Sequence, residues 1–361
     1  MKRSGGSIRF CALLLALLLL WRVIGAPLSL TELENLKTPL WQARILLPQR
    51  TARVFALWIS ARNSQSVQTM KQEKTTDETA DEKLLVYLTQ EDRIAQMTLE
   101  GYVCGVVAAE MPAQYHLEAL KAQAVAARTR VLWQQMQGGC ELHPGADICT
   151  DSTHCQGYAT LNECREKWGA SYEAYRDRLI KAEQETAGQW ICYEDKPITV
   201  LYHASSGGKT ENVQTVFAEK LPYLVSVESE EDETASGFQQ DLTVSFEKMA
   251  EQLGTLMPDA QITPEIIQRT LAIGGYTESG RVSHMMINGK PIDAVDFRNA
   301  LGLRSTLFSM TMDEDGVSFY QRGYGHGVGM SQTGANQMAA SGKNYVQILQ
   351  HYYTGVDIIT P

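Results

Sequence analysis

A chain of 361 residues can bury one large hydrophobic core or two modest ones, so it does not depend on disulfide staples to fold. Its 42 acidic against 32 basic side chains give a formal charge of −10, which repels a phosphate backbone or an anionic membrane surface. Nucleic acid is therefore excluded as the expected partner.

Lys2, Arg3 and Arg9 precede an unbroken apolar run from Phe10 to Trp21, closed by Arg22. Its 12 residues fit the ~7 to 15 of a secretory apolar region better than the ~20 of an ideal spanning helix. Ile24-Gly25-Ala26-Pro27 lacks the small-x-small cleavage pattern, which favours an uncleaved anchor over residues 1–26, with Arg22 snorkelling to the interface. Either way the basic flank is cytoplasmic and the rest of the chain lies outside the cell membrane. Residues 27–83 are then a juxtamembrane region and a polar tether, the latter rich in Gln, Lys, Thr and Glu from residue 62.

The body expected at 84–361 starts around a short strand, Lys83 to Leu88, and a turn, Thr89 to Arg93. Thr98 is placed to cap a helix running to Glu110, where Met111-Pro112 stops it. A second helix, Leu117 to Gln137, carries Ala119, Ala122, Ala124, Ala126 and Ala127, side chains small enough for another backbone to pack closely. A polar amphipathic helix over Asn162 to Glu185 and strands at Gln189 to Tyr193 and Ile198 to Tyr202 follow. Helices at Phe246 to Leu256 and Pro264 to Ala272, a strand at Arg281 to Ile287 and a helix beginning near Ser331 complete an α+β pattern with no βαβ repeat.

Four groups of residues carry chemistry. Glu110 sits at a helix end among Val106, Val107 and Met111, surroundings that raise a carboxyl pKa as a general acid requires. Its bland alternative is an exposed glutamate at a helix C-terminus. Ser205, Ser206, Gly207, Gly208, Lys209 and Thr210 imitate the end of a phosphate loop, but His203 stands where its first glycine is needed, so no nucleotide is expected. Glycines at 323, 325, 327 and 329 press a backbone against something and leave His326 as either a ligand-facing donor or a packed core histidine. Of the cysteines at 11, 104, 140, 149, 155, 164 and 192, four crowd between 140 and 164 with His143 and His154. A closed tetrahedral metal site and a local disulfide loop are both open there.

Leu99-Glu-Gly-Tyr-Val-Cys-Gly-Val-Val-Ala-Ala-Glu-Met-Pro-Ala, then Glu118-Ala-Leu-Lys-Ala-Gln-Ala-Val-Ala-Ala-Arg-Thr, resembles the stage II sporulation protein D (SpoIID/LytB-like) family. Tyr202-His-Ala-Ser-Ser-Gly-Gly-Lys-Thr-Glu and Gly325-His-Gly-Val-Gly-Met-Ser-Gln-Thr-Gly-Ala follow in the family's order. The resemblance implies a two-lobed extracytoplasmic catalytic body: a lytic transglycosylase that cleaves peptidoglycan glycan strands in the engulfment step of sporulation, with Glu110 as catalyst. It implies prior removal of stem peptides by a partner amidase and a further membrane protein of the engulfment machinery. Lys121, Gln123, Arg128, Tyr202, Ser205, Ser206, Gly207 and His326 become candidate substrate-binding residues. The resemblance also implies a structural zinc ion held by His143, Cys149, His154 and Cys155, within a loop at about 140–158 that carries Gln156 and Tyr158 toward the site. The rival reading is a non-catalytic peptidoglycan-binding scaffold or amidase stimulator.

Overall fold

The computed structural model describes residues 83–217, 219–230 and 238–360, so the expected anchor and the tether up to residue 82 lie outside them. Among the described residues no helix is long and apolar enough to cross a membrane. The described chain is a mixture of helices and small sheets.

β1 (Lys83–Leu88) alternates exposed and buried side chains and pairs antiparallel with β2 (Arg93–Thr98), a strand not expected from the sequence. β3 (Ile148–Cys149) adds in parallel on the other side of β1. Thr98 caps α1 (Leu99–Glu110) as expected, its hydroxyl accepting from Gly101 N at 3.1 Å. α2 (Leu117–Met136) is the hub, packing against α1 and later helices through Ala122, Ala124, Ala126 and Ala127, all fully buried.

The single helix expected at 162–185 is two. α3 (Leu161–Trp168) opens on a capping box between Thr160 and Glu163. It stops at Gly169, whose φ of 50° suits a residue without Cβ, and α4 (Tyr172–Gln184) resumes after one tight turn. β4 (Trp190–Tyr193) pairs with β5 (Lys196–Pro197) and with a last strand, while only β6 (Tyr202–His203) of the expected strand at 198–202 enters a sheet. α5 (Val213–Phe217) follows.

A second apolar cluster gathers β7 (Gln239–Val244), α6 (Phe246–Leu256), α7 (Pro264–Thr270), β8 (Ala272–Tyr276), β9 (Val282–Ile287), β10 (Lys290–Asp293), α8 (Ala294–Leu301), β11 (Phe308–Met312) and β12 (Val317–Arg322). Its centre includes Met249, Leu253, Met285, Phe297, Val317 and Phe319. The chain then returns to the first cluster through β13 (Met330–Ser331), α9 (Gln332–Ala340), α10 (Tyr345–Tyr352) and β14 (Asp357–Ile359). β13 lies parallel to β6, with Met330 beside Tyr202 and Ser331 beside His203. That pairing sets Gln332, the residue after β13, beside Glu110 at the end of α1.

Candidate active site

Glu110 is the last residue of α1, and Val106, Val107 and Met111 around it are buried. Its Oε1 accepts a hydrogen bond from the backbone N–H of Gly157 at 2.9 Å, and its Oε2 accepts from Gln332 Nε2 at 3.3 Å. Burial pushes the carboxyl above the usual carboxylate range, while these two donors pull the other way. No second carboxyl acts on it among the described residues.

Three segments far apart in sequence deliver these partners. The loop after β3 brings Gly157, where a Cβ would lie 2.9 Å from Oε1, so glycine admits the close approach. The first residue of α9 brings Gln332, and α2 brings Gln123, whose Oε1 accepts from the same Gln332 Nε2 at 3.4 Å. Gln123 is completely buried, yet its Nε2 has no hydrogen-bond partner among the described residues. An unmade buried donor costs about 1–3 kcal/mol, so this atom calls for a reason.

Tyr202 stands on the neighbouring side. Burial, then the charge of Glu110, raises its phenol well above the ordinary range, so it is neutral and a hydrogen-bond donor. It donates to Gln156 Oε1 at 3.0 Å, and Gln156 Nε2 donates to Tyr102 Oη at 3.4 Å and to the Ala127 carbonyl at 3.3 Å. Tyr102 closes the chain of contacts on the Cys149 carbonyl at 3.5 Å.

The structure thus brings Glu110, Gln123 and Tyr202 together, sets His326 against the Tyr202–His203 strand, and gives the other candidates partners of their own. Arg128 is buried against Glu100, near the opposite end of α1, and donates to the Gln189 carbonyl at 3.0 Å. Lys121 pairs with Glu118 and Glu185 at 2.7 and 2.5 Å. Ser205 and Ser206 are buried in the backbone seam where Ser205 pairs with Tyr324, and Arg281 Nη2 donates to the Ser206 carbonyl at 2.6 Å. Gly207 has a φ of +74° and meets Leu307 and Gly323, which leaves no room for a side chain. His326 packs between His203 and Phe217 and accepts from Val328 N at 3.0 Å. Burial first, then Arg298 and Arg281, pushes it down to about 4, against the pull of the Tyr202 backbone, so it is a neutral, packed histidine.

The cysteine cluster differs from expectation in one member. Cys140, Cys149, His154 and Cys155 place one ligand atom each within 4.8 Å of one another. His143 is outside it because its ring stacks on Tyr87, centroids 3.5 Å apart and planes 11° from parallel. Cys140 takes the fourth place from the turn closed by its N–H on the Ala146 carbonyl at 2.8 Å. Its sulfur lies 3.7 Å from His154 Nδ1, those of Cys149 and Cys155 at 3.4 and 3.3 Å. Tetrahedral zinc with bonds of ~2.3 Å to sulfur and ~2.0–2.1 Å to nitrogen needs such ligand atoms about 3.5 Å apart, so three thiols and one imidazole fit that ion. All six described cysteines are free thiols, and Cys164 lies in the main apolar cluster.

Gly157, Gln332 and Cys140 were not singled out from sequence. Gln332 stands inside the motif around His326, and its place as the first helical residue after a serine cap was the available signal. Gly157 directly follows Gln156, and nothing in its type announced a contact with Glu110.

A sequence profile described as stage II sporulation protein matches residues 87–193. Over 273 residues the chain is 35% identical to stage II sporulation protein D of Bacillus amyloliquefaciens, covering 76% of this chain and 77% of the relative. It is equally similar to stage II sporulation protein D of Bacillus subtilis (strain 168), at 35% identity over 76% of this chain and 78% of the relative. The amidase enhancer of Bacillus subtilis is 24% identical over 301 residues, 70% of this chain and 40% of that protein.

Proposed function

The chain belongs to the stage II sporulation protein D family, and on that premise we propose that it is a lytic transglycosylase of the peptidoglycan glycan backbone, acting in engulfment during sporulation. The observation that carries this reading is Glu110: a half-buried carboxyl with a raised pKa, two fixed donors and no carboxyl companion among the described residues. A hydrolase generally uses two carboxyl groups, one to protonate the leaving oxygen and one to attack or to activate water. One suffices if the attacking hydroxyl belongs to the substrate itself.

Glu110 gives its proton to the glycosidic oxygen after N-acetylmuramic acid as that bond breaks. The carboxylate left behind then takes the proton of the same sugar's C6 hydroxyl, whose oxygen closes the 1,6-anhydro ring on C1. Acid–base assistance contributes about 10²- to 10⁴-fold, and the intramolecular hydroxyl replaces water at high effective concentration. Gly157 and Gln332 hold the carboxyl in place through both transfers.

Cys140, Cys149, His154 and Cys155 would hold zinc with four protein ligands and leave no open position, so the ion would serve to fold the loop that ends in Gln156 and Gly157. Peptide-free glycan is the proposed substrate, prepared by a partner amidase beside a membrane protein of the engulfment machinery. Residues 1–26 are the proposed anchor, with the two-lobed body outside the membrane.

Glu110→Gln tests the assignment. The purified variant should release no anhydromuramyl product from peptide-free glycan under conditions where the wild type does, and release at the wild-type rate overturns it. The similarity to an amidase enhancer favours a second reading, a scaffold that binds glycan and stimulates an amidase. That reading prevails if neither protein releases product while both bind glycan.

A further inference from the structure

We infer that Gln332 and Gln123 form a two-amide relay that reverses its hydrogen bonds each time Glu110 gains or loses its proton, supporting both the carboxylate and the carboxylic acid. The inference rests on the proposed role of Glu110 as acid and then base.

The Gly157 partner is a backbone N–H, which can only donate, so Oε1 remains an acceptor in both protonation states. The transferable proton therefore belongs on Oε2. In the arrangement described, Oε2 faces the Nε2 of Gln332, which suits a carboxylate. A proton on Oε2 would meet that amide donor head on. A primary amide carries a donor and an acceptor end of nearly equal size, and its terminal torsion is broad and roughly two-fold. A half-turn of Gln332 presents its Oε1 to the Oε2–H.

That half-turn also sets the oxygen of Gln332 against Gln123, which now offers Oε1 at 3.4 Å. Two acceptors would then oppose one another. A half-turn of Gln123 replaces its oxygen by Nε2, the one atom left without a partner in the carboxylate arrangement. Each contact from Glu110 through Gln332 to Gln123 then sets a donor against an acceptor around a protonated Glu110, and the nitrogen left without a partner beside the carboxylate is the donor that the acid form uses. No covalent bond changes in the relay itself; the proton passes between Glu110 and the substrate oxygens.

Surrounding charges leave the pair undisturbed. Tyr202 faces Glu110 as a neutral phenol. On α2, Lys121 and Arg128 are paired with Glu118, Glu185 and Glu100, and on α4 Arg178 donates to the Ala113 and Tyr115 carbonyls while Glu183 lies with Glu100 at the far end of α1. Arg93 on β2 is paired with Glu91, and α9 carries no charged side chain.

The test follows the side-chain amide signals of Gln123 and Gln332 in the full chain labelled at glutamine, as pH is varied, together with the Glu110 carboxyl carbon. Gln123→Met and Gln332→Met assign the signals. The expected result is one common midpoint for both amides and the carboxyl, and two amides that no longer titrate in Glu110→Gln. Gln123→Met should also lower kcat about tenfold with KM held, the loss of the one hydrogen bond by which Gln123 fixes Gln332 beside the acid form. A Glu110 carboxyl that titrates while both amides stand still overturns the relay and leaves the catalytic assignment intact. Full activity in Glu110→Gln removes the assignment instead, whatever the amides do.

Discussion

Replacing Gly157 by alanine loosens the hold on Glu110 without altering any reacting group. The backbone at 157 is outside the left-handed region, so alanine is locally admissible. Its Cβ would lie 3.6 Å from the Ala109 Cβ, an ordinary contact, but 2.9 Å from Glu110 Oε1. The carboxylate must retreat by about half an ångström to reach an ordinary 3.4 Å, stretching the 2.9 Å bond from Gly157 N beyond the good range. A hydrogen bond to a charged group contributes about 1.5–3 kcal/mol, so losing half of it is worth about tenfold in rate. Misplacement by ~1 Å costs about 100-fold, which sets the upper end. Folding should be spared, because exchanging glycine for alanine at a compatible backbone position stabilises by about 0.4–1 kcal/mol through the unfolded chain. The assay pairs release of anhydromuramyl product from peptide-free glycan with a thermal melt of the same preparation. The expected result is a 10- to 100-fold lower kcat at a Tm within a few degrees of wild type. Wild-type kcat, or activity lost only in step with the cooperative transition, would refute the reasoning.

Burial raises the Glu110 carboxyl, so the native state holds that proton more tightly than the unfolded chain, and stability falls as pH climbs from the ordinary carboxylate range through the raised value. Glu110→Gln should therefore melt above wild type at pH 7, with the gain fading toward about pH 4 in a melt series. Glu183 is pushed up to about 7, first by burial and then by the Glu100 carboxylate. The sign is the same, so Glu183→Gln should gain stability over wild type in urea at pH 8.5 and little at pH 5; a gain confined to pH 5 would contradict it. For the metal cluster, Cys140→Ser should cut bound zinc by elemental analysis and lower Tm, whereas His143→Ala should retain it; the reverse pattern would restore the imidazole as ligand.

Local signals in the sequence carried much of this fold. β1, the start of α1 at Thr98, its end at Met111-Pro112 and α6 all fall where alternation, capping and apolar spacing put them. The break between α3 and α4 was missed because the amphipathic pattern runs on through it, while Gly169 turns the chain only by backbone conformation. β2 was missed because its side chains are mostly exposed, and pairing with β1 defines it. At the site, Glu110 was legible from its apolar neighbours and its motif. Its partners were not, since Gly157 and Gln332 stand 47 and 222 residues away and act through an N–H and an amide that any sequence supplies in plenty. Cys140 replaced His143 for a similar reason: spacing allowed both, and the Tyr87 ring, 56 positions earlier by residue number, captured the histidine.

The link from Gln332 to Glu110 spans 222 residues, and it sets an order on how the molecule is completed. As the chain emerges from the ribosome, α1 and α2 appear early, and the buried valines of α1 can already pack on the alanines of α2. The carboxyl waits for its last partner until the segment after residue 331 has been made and β13 has settled alongside β6. A partly synthesised chain thus carries its reactive group in an unfinished setting. The finished setting of Glu110 is therefore a late, non-local event, reached only after the segment beginning at residue 332 has been made and has folded back onto α1 and α2.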